Sequence, residues 1–570
     1  MNDQSFMKSL FAGVVAEGLI FPYPEPPSEE RPEVLRLVDA ARKFVSTEID
    51  SARIDAEQRI TTDVLRGLGK LGVLGLTIPR EYGGAGLSIT GYARVIQEIA
   101  GLDHAVAVTV GAHQSLGVHA LLAFGTEAQK RRYLPSLALG DTLAAFALTE
   151  SAAGSDVAGI RTRAEPTADG FRITGSKIWI TNAAVADLFV VFARTSPPNE
   201  EAKPKITAFL VERGPGVVSG PNLDKLGIRG ASTAKVSFDR VLVPRENVLG
   251  EEGRGFRVAM EVLTSGRLGL AACCVGLSKA FIDLSVERVQ TRKTFGRSIG
   301  EFGLIKDKIA TMMAEAFALE SMTYLTTGLA DTSGRDFFLE SAICKVWGAE
   351  SLWRTANEAM NIAAGAGYMR GLPFERMLRD ARVQLVLEGT NEILRLFVAM
   401  NGMQASGKQI VDVAKAVRDP VKAFGLLSDF AMRKARSALG RSHLSCHHPV
   451  LAREAQLFED SSADFSHAVE RALRRHGKQI AEMQFAQKRI ADMAMNLYAL
   501  ASVISRTSRA LERRGEHGAR RELDLTRLFV HGAQRRFAEL LTSLEKNDDE
   551  LRKTVASKAY TDGGYPLDVY

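Results

Sequence analysis

A mainly helical protein with a small β-domain set into its middle is the fold this sequence predicts, and three observations carry that prediction. Apolar residues recur every three to four positions from about residue 30 to 140 and again from about 253 onward, the spacing of one buried helix face. Between about 141 and 252 the period drops to two, with Gly and Pro at the joins, as in short strands. The chain has 570 residues, too many for one ordinary core, so two to four domains of roughly 100–200 residues are expected.

Composition narrows the function classes. Hydrophobic residues make up 46% and charged residues 25%, which excludes a largely disordered chain. No run reaches the ~18–20 unbroken apolar residues of a membrane span. The run Leu10 to Ile20 is broken by Gly13, Glu17 and Gly18, so neither a secretory signal nor an Arg-rich transit peptide is evident; a cytoplasmic protein, or one already processed, is expected. Cys273, Cys274, Cys344 and Cys446 show no metal-ligand spacing, and reduced thiols are the default. No metal is expected. From residue 405 onward there are 28 Lys+Arg against 21 Asp+Glu, and before it 45 against 46, so the net charge of +6 resides in the tail.

Taken in order, the chain opens with a lead-in, residues 1–29, whose segment Phe21-Pro22-Tyr23-Pro24-Glu25-Pro26-Pro27 is extended and proline-stiffened. A helical domain follows over 30–140, with helices near 29–50, 61–72, 88–101, 104–124 and 126–139. A middle β-domain spans 141–252, with strands at 171–174, 189–193, 206–211 and 234–238 in a small antiparallel barrel or sandwich. A helical bundle covers 253–404, near 255–290, 302–330, 335–363 and 374–386. An additional basic helical domain fills 405–570. Its clusters Arg433-Lys434-Ala435-Arg436, Arg471 with Arg474 and Arg475, and Arg513-Arg514 with Arg520-Arg521 form either a solvated face or a surface for anionic membrane or an acidic partner. Nucleic acid is not expected, because few aromatics accompany these clusters and no nucleic-acid-binding motif does.

Four stretches carry chemistry. A Rossmann fingerprint is missing: Gly365-Ala366-Gly367 comes nearest, but Gly371 falls one residue late and no strand precedes it. Leu148-Thr149-Glu150-Ser151-Ala152-Ala153-Gly154-Ser155-Asp156 is a loop of hydroxyls and backbone donors able to wrap a phosphate or a heterocycle edge. Lys177-Ile178-Trp179-Ile180-Thr181-Asn182 sets a ring and a hydroxyl on the same side of a strand. Arg292-Lys293-Thr294-Phe295-Gly296-Arg297 places two guanidinium groups around an aromatic ring at a helix end, which suits pyrophosphate. In Leu387-Glu388-Gly389-Thr390-Asn391-Glu392 a carboxylate ends an apolar run before a new helix. Desolvation there would raise a glutamate from about 4.3 toward the ~6–7 useful for proton abstraction. The alternative is that Glu388 merely complements the helix N-terminus that Thr390 caps.

In this order and at these separations the four stretches resemble the acyl-CoA dehydrogenase family over about residues 30 to 404, and the long tail resembles that of its very-long-chain branch. The resemblance implies FAD as cofactor and oxidation of a long- or very-long-chain acyl-CoA to its trans-2-enoyl form, the first step of β-oxidation. It implies Glu388 as the base for the α-proton, with hydride passing to flavin N5. The thioester oxygen would be held by the backbone N–H of Glu388, a kind of donor whose loss costs roughly 100- to 1,000-fold.

By the same carry-over Leu148, Thr149, Gly154, Ser155, Trp179, Ile180, Thr181, Thr390 and Glu392 hold the cofactor. Arg292, Phe295, Asn361 and Gly365 reach its adenosine half across a homodimer interface. Ser155, Arg267, Leu387 and Gly389 border the substrate. An electron-transfer flavoprotein is the implied acceptor, and the basic tail implies peripheral membrane contact, in mitochondria if the chain is a processed eukaryotic form. An acyl-CoA oxidase or a respiratory-complex assembly scaffold of the same fold are the alternatives. Ser151, Asn361 and Ala364 stand where the family usually has proline, glutamine and glycine, and Phe302-Gly303 where shorter-chain members carry a glutamine. Ala107 and Gly111 replace bulkier polar residues, which opens an acyl channel.

Overall fold

The computed structural model describes residues 5–196, 204–332, 334–418 and 444–569. They form two compact units: residues 23–394, and residues 5–22 together with 395–569.

The chain opens in the second unit with α1 (Phe6–Phe11). Residues 1–29 were expected to be an extended lead-in, and the helix corrects that expectation. Ser5 caps it, and Phe6, Met7, Leu10 and Phe11 are buried, so apolar burial on one helical face outweighs the stiffness that the later prolines confer. The first unit then runs through α2 (Arg31–Glu48), α3 (Ser51–Glu57), α4 (Thr62–Lys70), α5 (Ile89–Leu102), α6 (His104–Gly111), α7 (His119–Phe124) and α8 (Glu127–Leu139). Side-chain caps at Asp50, Thr61, Ser88, Asp103 and Thr126 start five of these helices.

The segment 104–124 is not one α-helix: Ala112–Val118 widens into a π-helical stretch between α6 and α7. Inside it the buried His113 ring bonds Leu74 O and Leu137 O through Nε2 at 3.1 and 3.2 Å and accepts the Ala144 N–H at 3.0 Å. These non-local bonds secure the unusual winding.

The middle strands are β1 (Ala144–Ala147), β2 (Arg163–Thr167), β3 (Gly170–Thr181), β4 (Leu188–Arg194), β5 (Ile206–Glu212), β6 (Val217–Ser219), β7 (Thr233–Pro244) and β8 (Val248–Leu249). They form one sheet in the order β6-β7-β3-β2-β4-β5-β8, largely antiparallel, with β1 added parallel to β4. β4 from Leu188 to Ala193 and β5 from Ala208 to Val211 are apolar without a break because both faces are covered. Leu188, Val190 and Phe192 meet the helical residues Val118, Leu121 and Val258, while Phe189, Val191 and Phe209 fill the sheet's own core.

The bundle comprises α9 (Gly255–Thr291), α10 (Gly303–Asp331), α11 (Phe338–Ala363), α12 (Gly365–Tyr368), α13 (Phe374–Arg382) and α14 (Asn391–Arg418), the last of which leads into the second unit. α5 and α9 cross closely because Gly276 has no side chain: a Cβ there would fall 1.9 Å from Gln97 O. The segments His104–Phe124 and Gly255–Thr291 are long and apolar enough to cross a membrane, yet most of each is buried inside the protein, as core helices are.

The second unit adds helices Ala452–His476, Gln484–Gly518, Arg520–Ser543 and Asp549–Asp562. Its core joins both ends of the chain: Phe6 packs on Tyr498, Phe11 meets Phe465 edge-on at 4.9 Å, and Ser505 donates to Ile20 O. Several tail arginines are paired with acids, Arg471 with Glu545, Arg474 with Glu470, Arg514 with Glu522 and Arg520 with Asp524. The cluster at 433–436 lies outside the described residues.

Candidate functional site

The turn joining the end of α13 to α14 carries Glu388. A single 3-10 turn, Val383–Leu385, ends the helical run, and then two successive residues take positive φ, Glu388 at 55° and Gly389 at 103°. For a glutamate this backbone costs about 1–2 kcal/mol, so the surroundings must hold it. They do so from two helices. Arg267 Nε of α9 donates to Glu388 O at 3.3 Å. Lys345 Nζ of α11 donates to Gly389 O and to Asn391 Oδ1, both at 2.8 Å. Asn391 Nδ2 in turn donates to Glu350 Oε1 at 3.3 Å. Thr390 Oγ1 accepts the Ile393 N–H at 3.4 Å, so Thr390 does begin the helix, and Glu392 is exposed in its first turn.

The Glu388 carboxyl itself is differently placed. Its Oε2 is sealed from solvent and has no hydrogen-bond partner among the described residues. The space it occupies exists because position 266 on α9 is glycine: a Cβ there would stand 2.8 Å from Oε2 and 2.9 Å from Leu116 Cδ2. Leu116 comes from the π-helical stretch. Burial pushes Glu388 up to about 7, against the opposing pull of Arg267 and Lys345. Burial also lowers Lys345 to about 8 and Arg267 to about 10. A carboxyl that changes charge near neutrality, unsatisfied at one oxygen, can take up a proton from a neighbour of low acidity.

The loop 148–156 and the strand β3 form a second group. Lys177, fully buried, donates to Leu148 O at 3.0 Å and to Glu150 Oε1 at 2.8 Å. Glu150 also accepts from Thr162 N at 2.9 Å and Arg161 N at 2.6 Å, and these bonds and the Lys177 charge hold it below the usual carboxylate range against burial. Ile178 N donates to Thr149 O at 3.0 Å. The loop is therefore bolted to the strand by a satisfied buried ion pair, while Gly154 and Ser155 stay exposed. A Cβ at Gly154 would meet nothing nearer than Thr149 Cγ2 at 3.9 Å, which leaves room for a bulky group against the backbone.

In β3 a bulge between Lys177 and Ile180 puts Trp179 at φ 57°, with its ring 58% exposed. Such exposure of the largest apolar side chain suits stacking on a planar ring system. Thr181 is half-buried, and Ile180 lies in the sheet core, so only its backbone can reach a ligand. Leu148 is likewise committed to a core.

Arg292, Phe295, Asn361 and Gly365 are exposed and make local contacts. Phe295, 91% exposed at the tip of a two-stranded hairpin, meets Phe302 edge-on at 6.2 Å, and Asn361 Nδ2 reaches Glu358 Oε2 at 3.5 Å. Leu387 and Gly389 flank the glutamate and are half-buried. The structure thus brings Arg267, Leu387, Glu388, Gly389 and Thr390 together.

Sequence reasoning missed Gly266, Lys345 and the Glu150–Lys177 pair. One signal for Lys345 was present: it is the lone cation in the apolar run Ala342-Ile343-Cys344-Lys345-Val346-Trp347.

Comparison with known proteins gives these features a family. Residues 31–141, 145–241 and 253–403 match the N-terminal, middle and C-terminal domains of acyl-CoA dehydrogenase, and residues 449–565 match the ACAD9/ACADV C-terminal domain. The chain is 42% identical over 557 residues to the very long-chain specific acyl-CoA dehydrogenase, mitochondrial, of Macaca fascicularis, covering 96% of this chain and 85% of that one. The acyl-CoA dehydrogenase of Bacillus anthracis, solved in complex with FAD, superposes with a TM-score of 0.81 at 29% identity, over 98% of this chain and 96% of that one. Butyryl-CoA dehydrogenase of Megasphaera elsdenii gives a TM-score of 0.63 at 34% identity, over 66% of this chain and 98% of that one. The chain belongs to the acyl-CoA dehydrogenase family of flavin-dependent oxidoreductases and carries the additional C-terminal domain of its very-long-chain members.

Proposed function

We propose that the protein dehydrogenates long- or very-long-chain acyl-CoA at the α,β-bond with FAD, and that Glu388 is the base that removes the α-proton. The observation that carries this reading is the sealed, unpartnered Oε2 of Glu388, with a proton affinity close to neutrality.

The residues present fit FAD: an exposed Trp179 ring, an open backbone at Gly154 and Ser155, the hydroxyls of Thr149 and Thr181, and the exposed Arg292 and Phe295. FAD, when bound, supplies the two-electron acceptor for the hydride that leaves the β-carbon. Trp179 and Thr181 would hold its ring, Leu148 and Ile180 would contribute backbone contacts, and Thr390 and Glu392 would face it from α14. Ser155, Arg267, Leu387 and Gly389 would border the thioester. Arg292, Phe295, Asn361 and Gly365 would take the adenosine half in a homodimer, which also gives the exposed Phe295, Leu304, Tyr368 and Met369 a surface to cover. Ala107, buried, and Gly111, half-buried, leave the acyl channel open, and each buried methylene adds about 0.8 kcal/mol, or roughly fourfold in affinity. An electron-transfer flavoprotein would be the electron acceptor.

Glu388→Gln tests the assignment. The purified variant is expected to keep its flavin absorbance, and its anaerobic bleaching by a long-chain acyl-CoA should slow about 100- to 10,000-fold, the usual weight of a general base. Bleaching within tenfold of the parent rate would overturn it.

A further inference from the structure

We propose that Lys345 is a positioning residue of the dehydrogenation: through Gly389 O and Asn391 it fixes the left-handed turn that aims the Glu388 carboxyl, and it sets a positive charge near that carboxyl. The proposal rests on the reading of Glu388 as base.

The geometry is that of a clamp. Glu388 and Gly389 present successive carbonyls, and each is taken by a cation from a different helix, Arg267 of α9 on the first and Lys345 of α11 on the second. Lys345 is fully buried, which is costly for an ammonium unless its protons are used. Two of them are used here, on Gly389 O and Asn391 Oδ1, one residue on either side of Thr390. The cation therefore ties the turn to the first residue of α14 and holds the backbone where a relaxed chain would leave the left-handed region.

The charges around Glu388 complete the case. Arg267 and Lys345 favour its ionised form, from α9 and α11 respectively. The other titratable groups facing this pair are Tyr92 on α5, Cys273 and Cys274 on α9, Glu350 on α11, which accepts from Asn391 Nδ2, and Glu392 on α14. Burial pushes Tyr92, Cys273 and Cys274 well up, which keeps them neutral, and Glu392 is exposed at the helix start. Among the described residues the two cations offset the desolvation of the base, and Lys345 also binds the residues that follow it, at Gly389 O and Asn391 Oδ1.

Lys345→Met in the FAD-loaded enzyme tests the proposal. A neutral side chain withdraws a favourable charge, so the carboxyl holds its proton to higher pH. The acid limb of the pH profile for flavin reduction should then move up by about one unit, a tenfold loss on the acid side. At neutral pH the rate constant should fall about tenfold or more, with flavin content and half-saturating acyl-CoA within about twofold of the parent. Asn391→Ser, which removes one acceptor and keeps the charge, should slow reduction about threefold without moving the acid limb, and it serves if Lys345→Met does not fold.

An unmoved acid limb in Lys345→Met, or in its place parental rates in Asn391→Ser, would overturn the proposal. Glu388→Gln separates the two claims. If that variant is inert while Lys345→Met matches the parent, the clamp alone fails; if Glu388→Gln still reduces its flavin, the base assignment fails.

Discussion

Asp380 and Glu388 are two buried carboxyls close together in the sequence, and burial pushes both up to about 7. Their surroundings differ in kind. Asp380 Oδ1 accepts the Ile228 N–H, so the group serves as a strut between α13 and the loop before β7, with the like charges of Asp103 and Asp55 adding to its shift and Arg376 opposing it. Glu388 has an oxygen with no partner among the described residues, a pocket made by a missing side chain at position 266, one cation on its own backbone carbonyl and another on that of Gly389. An unusual proton affinity is thus shared by a strut and a candidate base. The unsatisfied oxygen is what distinguishes them, since a buried acceptor left unmade costs about 1–3 kcal/mol.

Changing each carboxyl to its amide would break this comparison most sharply. Glu388→Gln should lose flavin reduction about 100- to 10,000-fold, whereas Asp380→Asn, which keeps an acceptor for Ile228 N–H, should stay within about threefold in the same anaerobic stopped-flow assay. Next in size is Gly266→Ala. A Cβ 2.8 Å from Oε2 must displace the carboxyl, and a misplacement near 1 Å costs about 10- to 100-fold in rate; stopped-flow bleaching at saturating acyl-CoA reads it.

A third effect should unite the two sites. Each acid has a folded proton affinity above its unfolded value, so the native state is favoured on the acid side and loses stability as pH rises from about 4 through about 7. Both amide variants should therefore gain thermal stability over the parent at pH 8 and not at pH 4, by about 1–3 kcal/mol each. Equal gains at both pH values would mean that burial does not shift these groups.

The smallest effect is expected at the tail, where ion pairs already engage Arg471, Arg474, Arg514 and Arg520. Flotation with anionic vesicles should be weak at low salt and lost at high salt, where screening falls to a few ångströms. Flotation that survives high salt would point to apolar insertion instead.

The fold class was legible because its signal is a period. Alternation in β4 and β5 gave way to continuous apolar runs where both faces are covered, and the long α9 and α11 announced themselves by repeat. What sequence could not reveal depends on contacts between remote segments. The π-helical winding of Ala112–Val118 is set by His113 reaching Leu74, Leu137 and Ala144, none of which its own neighbours disclose. α1 was hidden by the prolines that follow it, because its burial comes from Phe465 and Tyr498. At the site, Glu388, Gly389 and Thr390 were visible as a local motif. Gly266 was not, and Lys345 showed only as a lone cation in an apolar run, since either has meaning only once the facing element is known. Ile180 and Leu148 illustrate the converse: their motif is local, but their side chains are spent on cores.

The joining of both termini in the second unit has a consequence for biosynthesis. Phe6, Phe11 and Ile20 leave the ribosome before Phe465, Tyr498 and Ser505, on which they rest and which are translated hundreds of residues later. At roughly 5–20 residues per second the wait is on the order of 20 to 100 s, during which a sticky early segment has no native home. A shortened version stripped of everything after position 394 would keep that peptide permanently orphaned, so an honest minimal catalyst must be trimmed at its head as well.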